Sequence, residues 1–208
     1  MDDTLTGRGS SFVILGIDPG LRHTGYAVAE VDLGRRSIGR VLTLGTIETL
    51  PLNLRTVRKT SDHLRRAQVH AKQFHELIER YRVSSIAMEL TTLTPHKIPT
   101  LSFGIMTGIV AALRCPIIEV LPKEIKVLAG HTKRDVIAWA LNKTKHQRNI
   151  PWPTSSKANA LKLTHRGKNV ALEAEHPADA LGAIEAALQT PHFALAATMA
   201  ASSKAHDE

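Results

Sequence analysis

The order of apolar segments along this chain predicts an α/β domain built on a mixed sheet. Three observations carry that prediction. Strand-type runs at residues 12–17, 25–31 and 37–49 come first, separated by glycine-containing turns that suit an antiparallel meander. Helical periodicities then alternate with two short buried-type strands, at 84–88 and 117–120. The first and fourth of these five strands each run into a carboxylate, Asp18 and Glu89.

The first strand, FVILGI, meets Asp18 and then the turn Pro19-Gly20. A lone charge at the end of a buried-type strand is costly unless something uses it. Asp before such a turn also serves as an ordinary cap, so this residue alone leaves both readings open. After the meander, Leu64, Ala67, Ala71, Phe74, Leu77, Ile78 and Tyr81 recur at three- and four-residue steps, which predicts an amphipathic helix over 55–81. A loop with Pro95 and Pro99 leads to a second helix over 100–114. Pro122 suits the first turn of a helix over 122–128, and a further helix follows over 132–142. Residues 143–169 lose apolar periodicity and gain Pro, Ser and Lys, as a basic loop or added arm would. An alanine-rich helix over 177–188 closes the domain, which is expected to span 1–190. The Ala/Ser-biased tail, 191–208, is expected to be flexible.

Composition narrows the class. The chain has 208 residues and 43% apolar content, so a real core is possible, and 4% aromatics make that core aliphatic. Cys115 is the sole cysteine, which rules out an internal disulfide and suits a reducing compartment. The opening MDDTLTGRGS lacks the basic-then-apolar order of a signal peptide, and the greasy stretch 101–113 is too short and interrupted to span a bilayer. A cytoplasmic protein without membrane contact is expected. The net charge is +8, and residues 132–168 carry all of it, with nine Lys and Arg against Asp135. Residues 55–82 add eight basic side chains against three acidic ones. Clustering of this kind is the footprint of a polyphosphate partner.

Asp18 and Glu89 at strand ends are joined by a third acidic point. His176 and Asp179 in EHPADALGAI lie three apart at a helix start, hence on one face. In α/β sheets, ligand-binding groups gather at strand ends and adjoining helix starts. Four such groups would repel one another unless cations neutralised them. Oxygen donors with limited nitrogen suit Mg²⁺ or Mn²⁺ better than Zn²⁺. Two such ions about 4 Å apart can support phosphodiester cleavage, with the basic surface holding the backbone.

ILGIDPGLRHTGYAV, SSIAMEL and EHPADALGAIEAAL, in that order between residues 12 and 188, resemble the RuvC-type Holliday junction resolvases of the RNase H-like superfamily. The resemblance implies an RNase H-like fold, a mixed five-stranded sheet flanked by helices. It implies a homodimeric, Mg²⁺-dependent endonuclease that nicks four-way DNA junctions symmetrically in recombination and repair, leaving 5′-phosphate and 3′-hydroxyl ends, with Mn²⁺ able to substitute. The family's catalytic metal ligands fall on Asp18, Glu89, His176 and Asp179. Its dimer helix falls on 101–114, where Gly104 and Gly108 lie one turn apart. Its junction-contacting residues fall on Lys126 and on Lys133 or Arg134, and Lys143, Lys145 and Arg148 extend the same basic surface.

Two departures from the family pattern stand out. The loop after Glu89, LTTLTPHKIP, lacks an aromatic, and 143–169 is longer and more basic than the usual connection. Both point to broader branched-DNA selectivity, as in phage and mobile-element nucleases. The sequence names no helicase partner. Three other readings are weaker. An actin-like ATPase needs a duplicated domain and a second phosphate loop. An RNase H-like ribonuclease of rRNA processing is usually smaller and lacks the basic arm. A non-catalytic junction-binding protein leaves the four ligand candidates unexplained. His63, His70 and His75 are expected at solvated positions or on phosphates. Trp152 is expected to anchor the arm, with base stacking as the alternative.

Overall fold

The computed structural model describes residues 12–53, 55–90, 97–147, 149–155 and 163–204, without the side chains of 97–100 and 199–204. The expected sheet is present. Strands β1 (Phe12–Asp18), β2 (His23–Asp32) and β3 (Ser37–Glu48) form the antiparallel meander. Strands β4 (Ser85–Glu89) and β5 (Ile117–Val120) add in parallel on the other side of β1, giving the order β3-β2-β1-β4-β5. Helices α1 (Lys59–Tyr81) and α2 (Lys97–Ala111) flank β4 in sequence. Helices α3 (Pro122–Ala129), α4 (Lys133–Thr144), α5 (Glu175–Ala187) and α6 (Pro191–Lys204) follow β5. A small ribbon, β6 (Thr164–His165) with β7 (Lys168–Asn169), was not foreseen.

Alternation along β1 divides the interior in two. Val13, Leu15 and Ile17 pack with Phe74, Met88, Met106 and Val110 on the α1 and α2 face. Phe12 and Ile14 pack with Ala180, Leu181 and Ile184 of α5 on the other face. The approach of α5 is unusually close. A Cβ at Gly16 would strike the carbonyl oxygen of Ala180, and one at Gly25 would strike the carbonyl oxygen of His176. Two glycines in neighbouring strands therefore let the start of α5 sit directly on the ends of β1 and β2.

Three expectations need correction. The tail is not flexible over Pro191–Lys204. It forms α6, with Phe193 and Ala196 buried. The Phe193 ring meets Phe12 edge-on at 5.7 Å and lies under the Arg36 guanidinium. A segment rich in Ala and Ser shows no clear 3.6-residue period, so its few anchors are hard to see in sequence. The basic arm is not wholly loop where it is described: it carries the ribbon β6–β7, and Trp152 anchors it as expected. Trp152 is buried and donates from Nε1 to Thr144 Oγ1 at 3.0 Å, and Ala171 N donates to the Pro153 carbonyl at 3.0 Å. The base-stacking alternative for Trp152 falls with that burial. Finally, α1 shows the expected apolar series only in its second half, where Phe74, Leu77, Ile78 and Tyr81 pack on the core, and His70 is buried rather than solvated. Phe74 is buried, but Leu64 is 62% exposed, and the other buried positions are Asp62, Arg66 and His70. The first half of α1 covers polar loop backbone rather than the apolar sheet.

Among the described residues, no helix is long and apolar enough to cross a membrane.

Candidate active site

Strand register brings the two strand-end carboxylates together. β1 and β4 run parallel, with Ile17 paired to Met88. Asp18 and Glu89 are the next residue on each strand. Side-chain alternation turns both away from Ile17 and Met88, which belong to the α1 and α2 face, and toward α5. The N-terminal end of α5 then supplies Glu175, His176 and Asp179.

Asp18, Glu89 and Asp179 line one cavity of about 430 Å³. Its lining also includes Lys126 of α3, the turn Gly130-His131-Thr132, and Lys133 of α4. Thr132 caps α4, accepting from Asp135 N at 3.2 Å while its own N donates to Asp135 Oδ2 at 3.1 Å, which fixes this part of the lining. Burial, reinforced by the charge of Asp18, pushes the Glu89 carboxyl up to about 7. Burial and the carboxylates of Asp18, Glu89 and Glu175 push Asp179 up to about 8. Carboxyls that hold protons this far above their ordinary range are crowded and short of water, a state that a divalent cation relieves.

His176 takes a different place from the one expected. It does not line the cavity with the three carboxylates. Its Nδ1 donates to Asp18 Oδ2 at 2.9 Å, and its ring stacks on His23 with centroids 5.6 Å apart and planes 8° from parallel. The bond to Asp18 raises the His176 pKa against the opposing effect of burial. His23 is in turn 3.8 Å from Glu48. Asp18 is thus shared between the carboxylate cluster and a histidine stack. Among the described residues, no three His, Cys, Asp or Glu side chains are close enough together, as they stand, to hold a metal ion. The chemistry of the donors still suits a hard divalent cation: three carboxylates line one cavity, and burial followed by neighbouring charge raises the pKa of two of them.

Sequence reasoning missed Glu175 and His23. An acid at a helix start is favoured by the helix dipole alone, so nothing in the sequence marks Glu175 further. It lines the cavity, and Lys133 Nζ donates to its Oε2 at 2.7 Å. That bond, with smaller help from Asp179 and Asp18, raises the Lys133 pKa. His23 stands in DPGLRHTG without any spacing that marks it.

The expected DNA-contacting residues separate into groups. Lys126 and Lys133 are on the cavity wall. Arg134 is exposed beside them but does not line it. Lys143 lies about 15 Å along α4 from Lys133, by helical rise, and is committed to Glu185 at 2.6 Å and to the face of Trp139. Lys145 is exposed just past that helix, and Arg148 lies outside the described residues. The aromatic-free loop after Glu89 also falls outside them over 91–96.

The family model described as "Crossover junction endodeoxyribonuclease RuvC" matches residues 14–139, more than half of the chain. The protein belongs to the RuvC family. The match takes in Asp18, Glu89, Lys126, Lys133 and Arg134, and it stops before His176 and Asp179. The RuvC of Prochlorococcus marinus is 29% identical over 165 residues, covering 74% of this chain and 97% of its own length. That of Afipia carboxidovorans is 28% identical over 159 residues, covering 73% and 86%. The RuvC fold is seen again in "T. thermophilus RuvC in complex with Holliday junction substrate", with a TM-score of 0.58, 21% identity, and coverage of 84% of this chain and 92% of that one. The Glu175–Lys133 pair and the His23–His176 stack are therefore set on a RuvC frame.

Proposed function

We propose that this RuvC-family protein nicks four-way DNA junctions in the cytoplasm, using Mg²⁺ held by Asp18, Glu89 and Asp179. The observation that carries the reading is one cavity lined by the three carboxylates together with Lys126 and Lys133. When bound, a divalent cation supplies Lewis acidity toward the scissile phosphate, and Mn²⁺ can replace Mg²⁺. Glu89 and Asp179 release their protons as they take the cation, so binding strengthens as pH rises through about 7 and 8. His176 keeps Asp18 oriented through its 2.9 Å bond and stands as the fourth member of the site. Lys126 and Lys133 offset charge on the phosphate, which requires Lys133 to leave Glu175. The basic residues Arg134 and Lys145 extend the path of the backbone.

Two copies joined through α2 would give paired cuts on opposite strands. The outer face of α2 supports this, because Leu101 is exposed and a Cβ at Gly104 or Gly108 would meet nothing within 4 Å. A small, open face of this kind lets a second helix approach closely.

The test compares matched four-way, three-way, flap and linear DNA with an RNA hairpin, each with Mg²⁺ and with chelator. Mg²⁺-dependent nicking that is fastest on the four-way junction is expected. Preferential cleavage of the RNA hairpin, or tight junction binding with no nicking in Mg²⁺, contradicts the proposal.

A further inference from the structure

The buried polar stripe of α1 has no explanation in core packing. Asp62, Arg66 and His70 are 2%, 8% and 0% exposed, on a helix whose other inner residues could have been apolar. Burying three ionisable side chains is unfavourable unless each is bonded. Their bonds lead to one place. His70 Nε2 donates to the Leu21 carbonyl at 3.0 Å, and Thr49 Oγ1 donates to that same carbonyl. Arg66 Nε donates to Thr49 Oγ1 at 3.0 Å. Asp62 pairs with Arg65 at 2.8 Å and accepts from Leu52 N at 3.2 Å, holding the start of α1 against the chain that leaves β3. Burial keeps His70 neutral, and with Nε2 carrying the proton its Nδ1 is left without a partner. That unpartnered atom is the residual cost of the arrangement.

Leu21 lies in the loop between Asp18, the last residue of β1, and His23, the first of β2. The two neighbouring carbonyls are held as well. Thr24 Oγ1 donates to Gly20 O at 2.5 Å, and Thr49 N donates to Arg22 O at 2.9 Å. Three consecutive carbonyls in this loop are therefore tied, and two of the ties come from Thr49. One end of the loop is Asp18, and the other is His23, whose ring stacks on the His176 that bonds Asp18.

We propose that Thr49 and His70, with Arg66 behind them, are positioning residues: a buried polar clamp on the Leu21 carbonyl that fixes Asp18 and the His23–His176 stack in the geometry that binds a divalent cation. None of the three touches the cavity, so they act through the loop. The inference rests on the functional reading above for its activity readout, but not for its binding readout.

Thr49→Val and Thr49→Ser separate polarity from packing. Valine keeps the shape and loses both hydroxyl bonds. Serine keeps the hydroxyl and loses a methyl. His70→Gln and His70→Leu form a second pair of the same design. Each variant is measured for Mn²⁺ affinity by calorimetry without DNA, for junction affinity in Ca²⁺, for single-turnover nicking, and for melting temperature. Thr49→Val is expected to bind Mn²⁺ several-fold more weakly and to nick about tenfold to a hundredfold more slowly, as displacements near 1 Å do in other sites. Its junction affinity in Ca²⁺ should not change, and Thr49→Ser should stay within about twofold of wild type. Equal behaviour of Thr49→Val and Thr49→Ser, or wild-type Mn²⁺ affinity and nicking in Thr49→Val, overturns the clamp. If the wild type binds Mn²⁺ but nicks no junction, the nuclease reading fails instead, and the Mn²⁺ affinities still decide the clamp.

Discussion

Helices α5 and α1 lie on opposite faces of the sheet and serve the site by opposite means. α5 is built from small residues, and Ala178, Ala180, Ala183 and Ala187 are fully buried. It sits so close that Gly16 and Gly25 cannot carry a side chain, and it delivers Glu175, His176 and Asp179 by main-chain proximity. α1 is partly exposed, and the first half of its inner stripe is charged or polar. It delivers no group to the cavity and instead bonds the loop that follows Asp18. Location is set by close packing on one face, and orientation by hydrogen bonds from the other. The two should therefore fail differently when disturbed.

The largest effect is expected at the close contact. Gly25→Val would drive a side chain into the main chain of α5 at His176, where no flexible group can move aside. A loss of about 4 kcal/mol or more in urea unfolding is expected, together with loss of nicking. Retained stability would show that α5 can lift away without harm. Next comes an anchor on the α5 face that is remote from the cavity. Phe193→Ala should cost about 3 kcal/mol through lost burial against Phe12. Its nicking rate, measured well below the melting temperature, should match wild type, which separates general stability from site geometry.

A smaller effect follows from the raised carboxyls. Glu89 and Asp179 titrate near 7 and 8 when folded, above their values in the unfolded chain. The folded protein thus holds protons that the unfolded chain has already released. Metal-free stability should be greatest at acid pH, fall as pH rises from about 4, and level off above about 8. The melting temperature is expected to decline by several degrees over that range. Asp179→Asn should flatten that profile, and saturating Mg²⁺ should raise the alkaline arm. A metal-free melting temperature that increases between pH 5 and 9 would be inconsistent with the crowded carboxyls. The smallest effect concerns the basic side chains. Lys133→Ala should reduce the salt dependence of junction binding by about one phosphate contact. Lys143→Ala should leave that slope unchanged, because Lys143 lies about 15 Å along α4 from Lys133, outside the cavity lining, and is held between Glu185 and Trp139. Equal slopes for the two variants would remove the distinction drawn between them.

Much of the site was legible because its residues sit at punctuated places. Asp18 interrupts an apolar strand before Pro19-Gly20, Glu89 ends IAMEL, and His176 and Asp179 share a helix face beside Pro177. Strand parity, which puts Asp18 and Glu89 on the α5 face, follows from the same pattern. What stayed hidden depends on tertiary partners. The inward turn of Asp62, Arg66 and His70 has meaning only once the Leu21 loop lies beneath them, and a helical wheel places charged residues outside by default. Glu175 gains its role from Lys133, which is 42 residues away in sequence. His23 gains its role from a ring 153 positions later, and the order of Pro191–Lys204 depends on Phe12 and Arg36.

The central claim is that Asp18, Glu89 and Asp179 form a metal-dependent nicking site on a RuvC frame. The most direct measurement is single-turnover nicking of a four-way junction by wild type and Asp18→Asn in Mg²⁺, alongside junction affinity in Ca²⁺. The account predicts that Asp18→Asn binds the junction as tightly as wild type and nicks it at least about a thousandfold more slowly. Nicking by Asp18→Asn at a rate close to wild type would contradict it.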